Sequence, residues 1–129
     1  MKVVGLTVLA VLAIGGTAQA QRFSNITAGR LGDLCISQNR GQLEACTAYL
    51  DGVSDAISFY QRLQPSDGSR GGKLPDYVCV PGPTTGPQLR ETYVAWLRKH
   101  RDAQQQPAAN AAMRALNDTY LCEGEKPRS

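Results

Sequence analysis

The chain has 129 residues, of which 42% are hydrophobic and 19% charged, and its formal net charge is +3. So even a balance argues against nucleic acid as a partner, and no basic, aromatic-interleaved run contradicts it. Four cysteines and one histidine leave little from which to assemble a metal centre or a catalytic constellation.

Residues 1–20 read as a secretory signal. Lys2 opens it, Val3–Ile14 is apolar but for Gly5 and Thr7, and Ala18-Gln19-Ala20 is a small-x-small cleavage site. The apolar run is too short to span a bilayer comfortably. Cleavage after Ala20 removes Lys2, lowers the net charge by one and leaves a chain with no membrane segment. A single domain is expected over residues 21–122.

Gln21–Asn25 reads as a frayed start. Thr27–Ile36 predicts a short helix with Leu31, Leu34 and Cys35 on one face, although Gly29 and Gly32 each weaken it by up to ~1 kcal/mol. Ser37–Gly41 is a polar turn. Leu43–Leu63 is the helix on which the rest is organised. Leu43, Cys46, Leu50, Val53, Ile57 and Tyr60 fall within an arc of roughly 100° at helical spacing. Glu44, Asp51, Asp55 and Arg62 gather on the opposite arc. A solvated face is the plain reading of those charges; a contact surface for a basic partner is the sharper one.

Gln64–Asp76 contains Pro65, Pro75 and three glycines and reads as a loop within one domain. Tyr77–Pro81 is a brief extended piece, because Pro81 biases Val80 away from helix. Pro83–Gly86 is a turn. A helix starts near Pro87, capped by Thr84 or Thr85. Its inner face is Leu89, Tyr93, Trp96, Leu97 and His100. Arg98, Lys99 and Arg101 sit at its C-terminal end, where the helix dipole favours cations. The last helix runs from Pro107 to about Tyr120, with Ala108, Ala111, Ala112, Ala115 and Leu116 on a small-residue face. Glu123–Ser129 is a charged tail, expected to be disordered. The pattern defines an all-α bundle of about four helices.

An even cysteine count behind a signal segment predicts two disulfides in an oxidising compartment. Cys35, Cys46, Cys79 and Cys122 are too widely spaced for the close ligand pairs zinc prefers, so no metal is expected. Short connections make consecutive helices antiparallel neighbours, and the helix ends then permit any of the three pairings. Loop entropy would reward Cys35–Cys79 by roughly 4 kcal/mol and Cys46–Cys122 by about 4.5, against under ~3 for Cys35–Cys46. That measures usefulness and leaves connectivity open.

No catalytic site is expected. His100 lies on an apolar face and reads as a packed or capping residue. A Cys–His nucleophile needs a thiol that two bridges would not leave free. Gly52-Val53-Ser54-Asp55-Ala56 lacks the second glycine of a nucleophile elbow and falls mid-helix.

Several stretches together resemble a known family. They are Leu34-Cys35, then Cys46-Thr47-Ala48-Tyr49-Leu50-Asp51-Gly52-Val53-Ser54-Asp55-Ala56, then Val78-Cys79-Val80-Pro81. Further on come Gln88-Leu89, Val94-Ala95-Trp96-Leu97 with His100, Pro107-Ala108-Ala109, Ala115-Leu116 and Tyr120-x-Cys122. This set resembles the Rap/Tai immunity proteins, small helical periplasmic proteins that neutralise peptidoglycan amidases delivered by type VI secretion. Leu121 and Arg101 stand where that family often carries proline. The resemblance implies a periplasmic protein whose partner is a cognate secreted amidase effector. It implies no chemistry and no cofactor of the protein's own. Occlusion of the amidase through Gln64–Asp76 would make Ser66, Asp67, Arg70 and Lys73 the contact residues; a homodimer is the other assembly considered. A more distant similarity is to the Hde-type periplasmic acid-stress chaperones. It implies the pairing Cys35–Cys79, which leaves Cys46–Cys122, and an acid-activated holdase as the alternative function.

Overall fold

The computed structural model of the protein describes residues 25–63 and 78–122. Within them lie α1 (Ala28–Cys35), α2 (Arg40–Leu63), α3 (Gly86–Lys99) and α4 (Ala108–Thr119), with a 3-10 turn at Arg101–Ala103. The all-α bundle expected from the periodicity is the observed one. The expected signal segment 1–20, the loop Gln64–Asp76 and the tail Glu123–Ser129 lie outside the described residues.

α1 is short and starts against the chain that leads into α4. Thr27 Oγ1 accepts from the Arg30 N–H at 3.3 Å. The Ala28 and Gly29 N–H groups, unpaired within any helix, donate to Gln106 O at 2.8 Å and Gln104 O at 2.9 Å. Ala108 N–H returns the favour to Ile26 O at 2.9 Å, closing a small antiparallel bridge between Thr27 and Pro107. The first helix is thus tied to the last at their N-termini.

Gly32 weakens α1 as a helix former but admits α3. A Cβ at this position would lie 2.6 Å from Leu97 Cδ2. Gly32→Val should therefore wedge α1 off α3 and cost about 1–3 kcal/mol, the usual range for overpacking. A urea melt of the variant against wild type reads this directly, and an unchanged midpoint would refute it.

α2 begins three residues earlier than the apolar pattern suggests. Asn39 Oδ1 accepts from the Gln42 N–H at 3.1 Å, and the Asn39 N–H donates to Ser37 Oγ at 3.0 Å. This turn chemistry starts the helix at Arg40. At the other end the expectation for Tyr60 fails. Of the six residues assigned to the inner arc, only Cys46 and Leu50 are fully buried, Leu43, Val53 and Ile57 are half-buried, and Tyr60 is 51% exposed. The reason is length. α2 has 24 residues, whereas α1 has 8 and α3 has 14, so its last turns outrun the helices it packs against.

α3 starts as its sequence dictates. Thr85 precedes it, its N–H donating to Gln88 Oε1 at 2.7 Å, and Pro87 occupies the first turn. Leu89, Tyr93, Trp96 and Leu97 are buried. On α4, Ala108, Ala111, Ala112, Ala115 and Leu116 are completely buried, the small-residue face predicted for it.

Tyr93 sits at the centre. It is fully buried, and its hydroxyl donates to Ala28 O at 2.8 Å, linking α3 to the first turn of α1. Burial, and then the neighbouring Tyr49, hold the Tyr93 phenol far above its ordinary 10.0. Its stabilising contribution is therefore complete below pH 10. The unfolded chain ionises this group first, so stability falls as pH rises past that point, by up to about 1.4 kcal/mol per pH unit. Thermal melts of wild type and Tyr93→Phe across this alkaline range should converge as the pH rises; parallel curves would contradict the assignment.

The disulfides correct the pairing that the chaperone similarity implied. Cys35 bonds Cys46 and Cys79 bonds Cys122, with Cα–Cα distances of 5.2 and 4.9 Å. The turn Ile36–Asn39 folds the start of α2 back beside the end of α1, bringing Cys46 to Cys35. The Cys79 N–H donates to Tyr120 O at 2.7 Å beside a Val78–Leu121 bridge, and this brings Cys79 to Cys122. Cys35–Cys46 joins neighbours placed by one short turn, whereas Cys79–Cys122 closes 43 residues and ties the chain ahead of α3 to the end of α4.

Candidate functional site

The lone histidine is part of the scaffold. His100 closes α3, its backbone N–H pointing to Trp96 O and Leu97 O. Its Nδ1 lies 2.9 Å from Trp96 O, and a carbonyl can only accept, so Nδ1 carries the proton and donates. The imidazole stacks on the Trp96 ring with centroids 4.1 Å apart and planes 16° from parallel. Arg114 places its guanidinium carbon 5.2 Å from the same ring, and the indole Nε1–H donates to Asp118 Oδ2 at 2.6 Å. Three side chains, one at the end of α3 and two on α4, thus lock the packing around one tryptophan. The expectation of a packed, hydrogen-bonded His100 holds.

Both disulfides are formed, and no described cysteine keeps a free thiol. Gly52–Ala56 is regular helix in the middle of α2. Among the described residues no three histidine, cysteine, aspartate or glutamate side chains stand close enough to share a metal. Arg98 and Lys99 occupy the exposed last turn of α3, as the dipole reading predicts, and Arg101 follows in the 3-10 turn.

What the fold does offer is surface. An open groove runs between α1 and α3 over Gly32, Ile36, Val94 and Leu97, edged by Arg30 and Arg98. The larger feature lies on the C-terminal half of α2. Phe59 is 65% exposed and Leu63 60%, beside the exposed Tyr60. Phe59 and Leu63 fall off the inner arc on a helical wheel, a signal present in the sequence but overlooked beside the acidic residues. Of those, Glu44 is paired with Arg40 at 2.9 Å. Asp51 and Asp55 are exposed and make no ion pair among the described residues. The contact residues expected from sequence, Ser66, Asp67, Arg70 and Lys73, lie outside the described residues.

Cross-linked helices, a histidine held by packing and solvent-facing apolar side chains on one long helix characterise this small all-α domain. No described helix is long and apolar enough to cross a membrane. The model of the Rap1a immunity proteins matches residues 27–122, and the chain belongs to that family. Immunity proteins of this family bind a secreted effector and are generally not catalytic. No curated protein and no solved structure gives a significant match.

Proposed function

We propose that the protein neutralises a peptidoglycan amidase effector delivered by type VI secretion, binding it in the periplasm after removal of residues 1–20. The observation that carries this reading is the family match, which spans every described helix and all four cysteines. The protein contributes no reacting group. It binds the amidase so that peptidoglycan is kept from the catalytic cleft, and its selectivity comes from shape and charge matching. Segment Gln64–Asp76, with Ser66, Asp67, Arg70 and Lys73, is proposed to enter that cleft. The test is to export type VI peptidoglycan amidase effectors to the periplasm, one at a time, with and without the protein. Lysis should be suppressed when both are present, and the purified pair should form a complex in which peptidoglycan hydrolysis stops at equimolar protein. Undiminished hydrolysis at a tenfold excess would overturn the reading.

A further inference from the structure

α2 carries a second apolar stripe that is solvent-exposed among the described residues. Ala45, Ala48, Gly52, Ala56, Phe59 and Leu63 recur at helical spacing, and all six are solvent-exposed. At 100° per residue they occupy an arc of about 80°, centred roughly 140° from the Cys46–Leu50 side that faces the core. The helix is thus apolar on two faces. Isolated exposed apolar residues are ordinary, but a continuous row along most of a helix is not.

The stripe is graded. From Ala45 to Ala56 its side chains are no larger than methyl, so another backbone can approach closely. At Phe59 and Leu63 it ends in two large anchors. Asp51 and Asp55 run along one edge and make no ion pair among the described residues, and the exposed Arg62 follows on that edge two turns beyond Asp55. A second copy of the chain suits the shape. Antiparallel packing about Gly52 would set Phe59 against Ala45 and Leu63 against Gly41. It would also bring Asp51 and Asp55 of both copies to the same edge, where like charges repel. The charge pattern therefore favours a partner that brings cations.

We propose that this ridge is the main docking surface for the effector, which presents a cleft with an apolar pocket for Phe59 and Leu63 and lysine or arginine along the rim that meets Asp51 and Asp55. This is helix-in-groove recognition with the immunity protein supplying the helix. It rests on the function proposed above and adds the face used and the chemistry of the partner.

The probe is a purified type VI peptidoglycan amidase effector whose lytic action the protein suppresses in the test above, titrated with wild type and variants whose helicity and melting are first shown unchanged. Phe59→Asp with Leu63→Asp should weaken binding at least 100-fold, since anchors of this kind dominate interfaces. Asp51→Lys with Asp55→Lys should slow association about tenfold and flatten its salt dependence. Met113→Asp, on the exposed side of α4, should change neither. Wild-type protein that fails to bind the amidase overturns the functional reading and this one with it. Wild-type binding that survives the Phe59 and Leu63 changes overturns the docking face alone. Self-association of the wild type that those changes abolish, with amidase binding intact, assigns the ridge to a second copy and equally overturns the proposal.

Discussion

Tyr93→Ala is expected to remove about 3–5 kcal/mol of stability, the cost of deleting a fully buried aromatic side chain. A domain of this size holds only about 5–15 kcal/mol in total. The variant should therefore lose a large share of its stability, with the melting of its helical circular dichroism and the shift of Trp96 emission to longer wavelength moved to much lower temperature. Two contributions can be separated. Tyr93→Phe keeps the ring and leaves Ala28 O without the hydroxyl that now donates to it at 2.8 Å. That should cost about 0.5–1.5 kcal/mol, the net worth of one hydrogen bond to a carbonyl that keeps its helical partner. If alanine and phenylalanine proved equally damaging, the ring would matter little, and the view of Tyr93 as the centre of the core would fail.

The second large effect concerns sulfur. Replacing Cys79 and Cys122 together by alanine should cost about 4 kcal/mol, and replacing Cys35 and Cys46 together about 3. The order follows from loop length, since the bonds close separations of 43 and 11 residues. Urea unfolding of the two double variants gives both values. A mixed double variant, Cys35→Ala with Cys79→Ala, breaks both bonds and leaves two unpaired thiols. It should be less stable than either matched pair. Were it instead to behave like one matched pair, the connectivity would be the one implied by the chaperone similarity.

The elements that could be read from the sequence are those whose evidence is local. The alanine face of α4, the inner face of α3 from Leu89 to Leu97 and the proline near the start of each are written in consecutive residues. His100 was legible as scaffold because it continues an apolar face. Its tautomer was not, because that depends on the Trp96 carbonyl lying beside Nδ1. The early start of α2 depends on how Ser37 and Asn39 fold onto the following N–H groups. Tyr60 misled because a helical wheel records direction and says nothing about whether a neighbouring helix extends far enough to meet it. Disulfide pairing is open in the sequence because Cys35 ends α1, Cys46 lies in the second turn of α2, and Cys79 and Cys122 lie in the chain outside α3 and α4, and which of these meet is a property of the assembled bundle. The loop-entropy argument ranks bonds by what they would contribute once made. Chain reversal decides which can be made.

The placement of the two bonds divides the polypeptide in a way that matters for its handling. Each closes a ring inside its own half, one spanning α1 and the start of α2, the other spanning α3 and α4. No sulfur crosses between halves. A single peptide cut anywhere between Leu63 and Val78 would therefore yield two fragments held together by non-covalent contacts alone, side-chain packing and the hydrogen bonds between the starts of α1 and α4. They should co-migrate in native buffer, come apart in urea without any reductant, and recombine on dilution into an assembled whole.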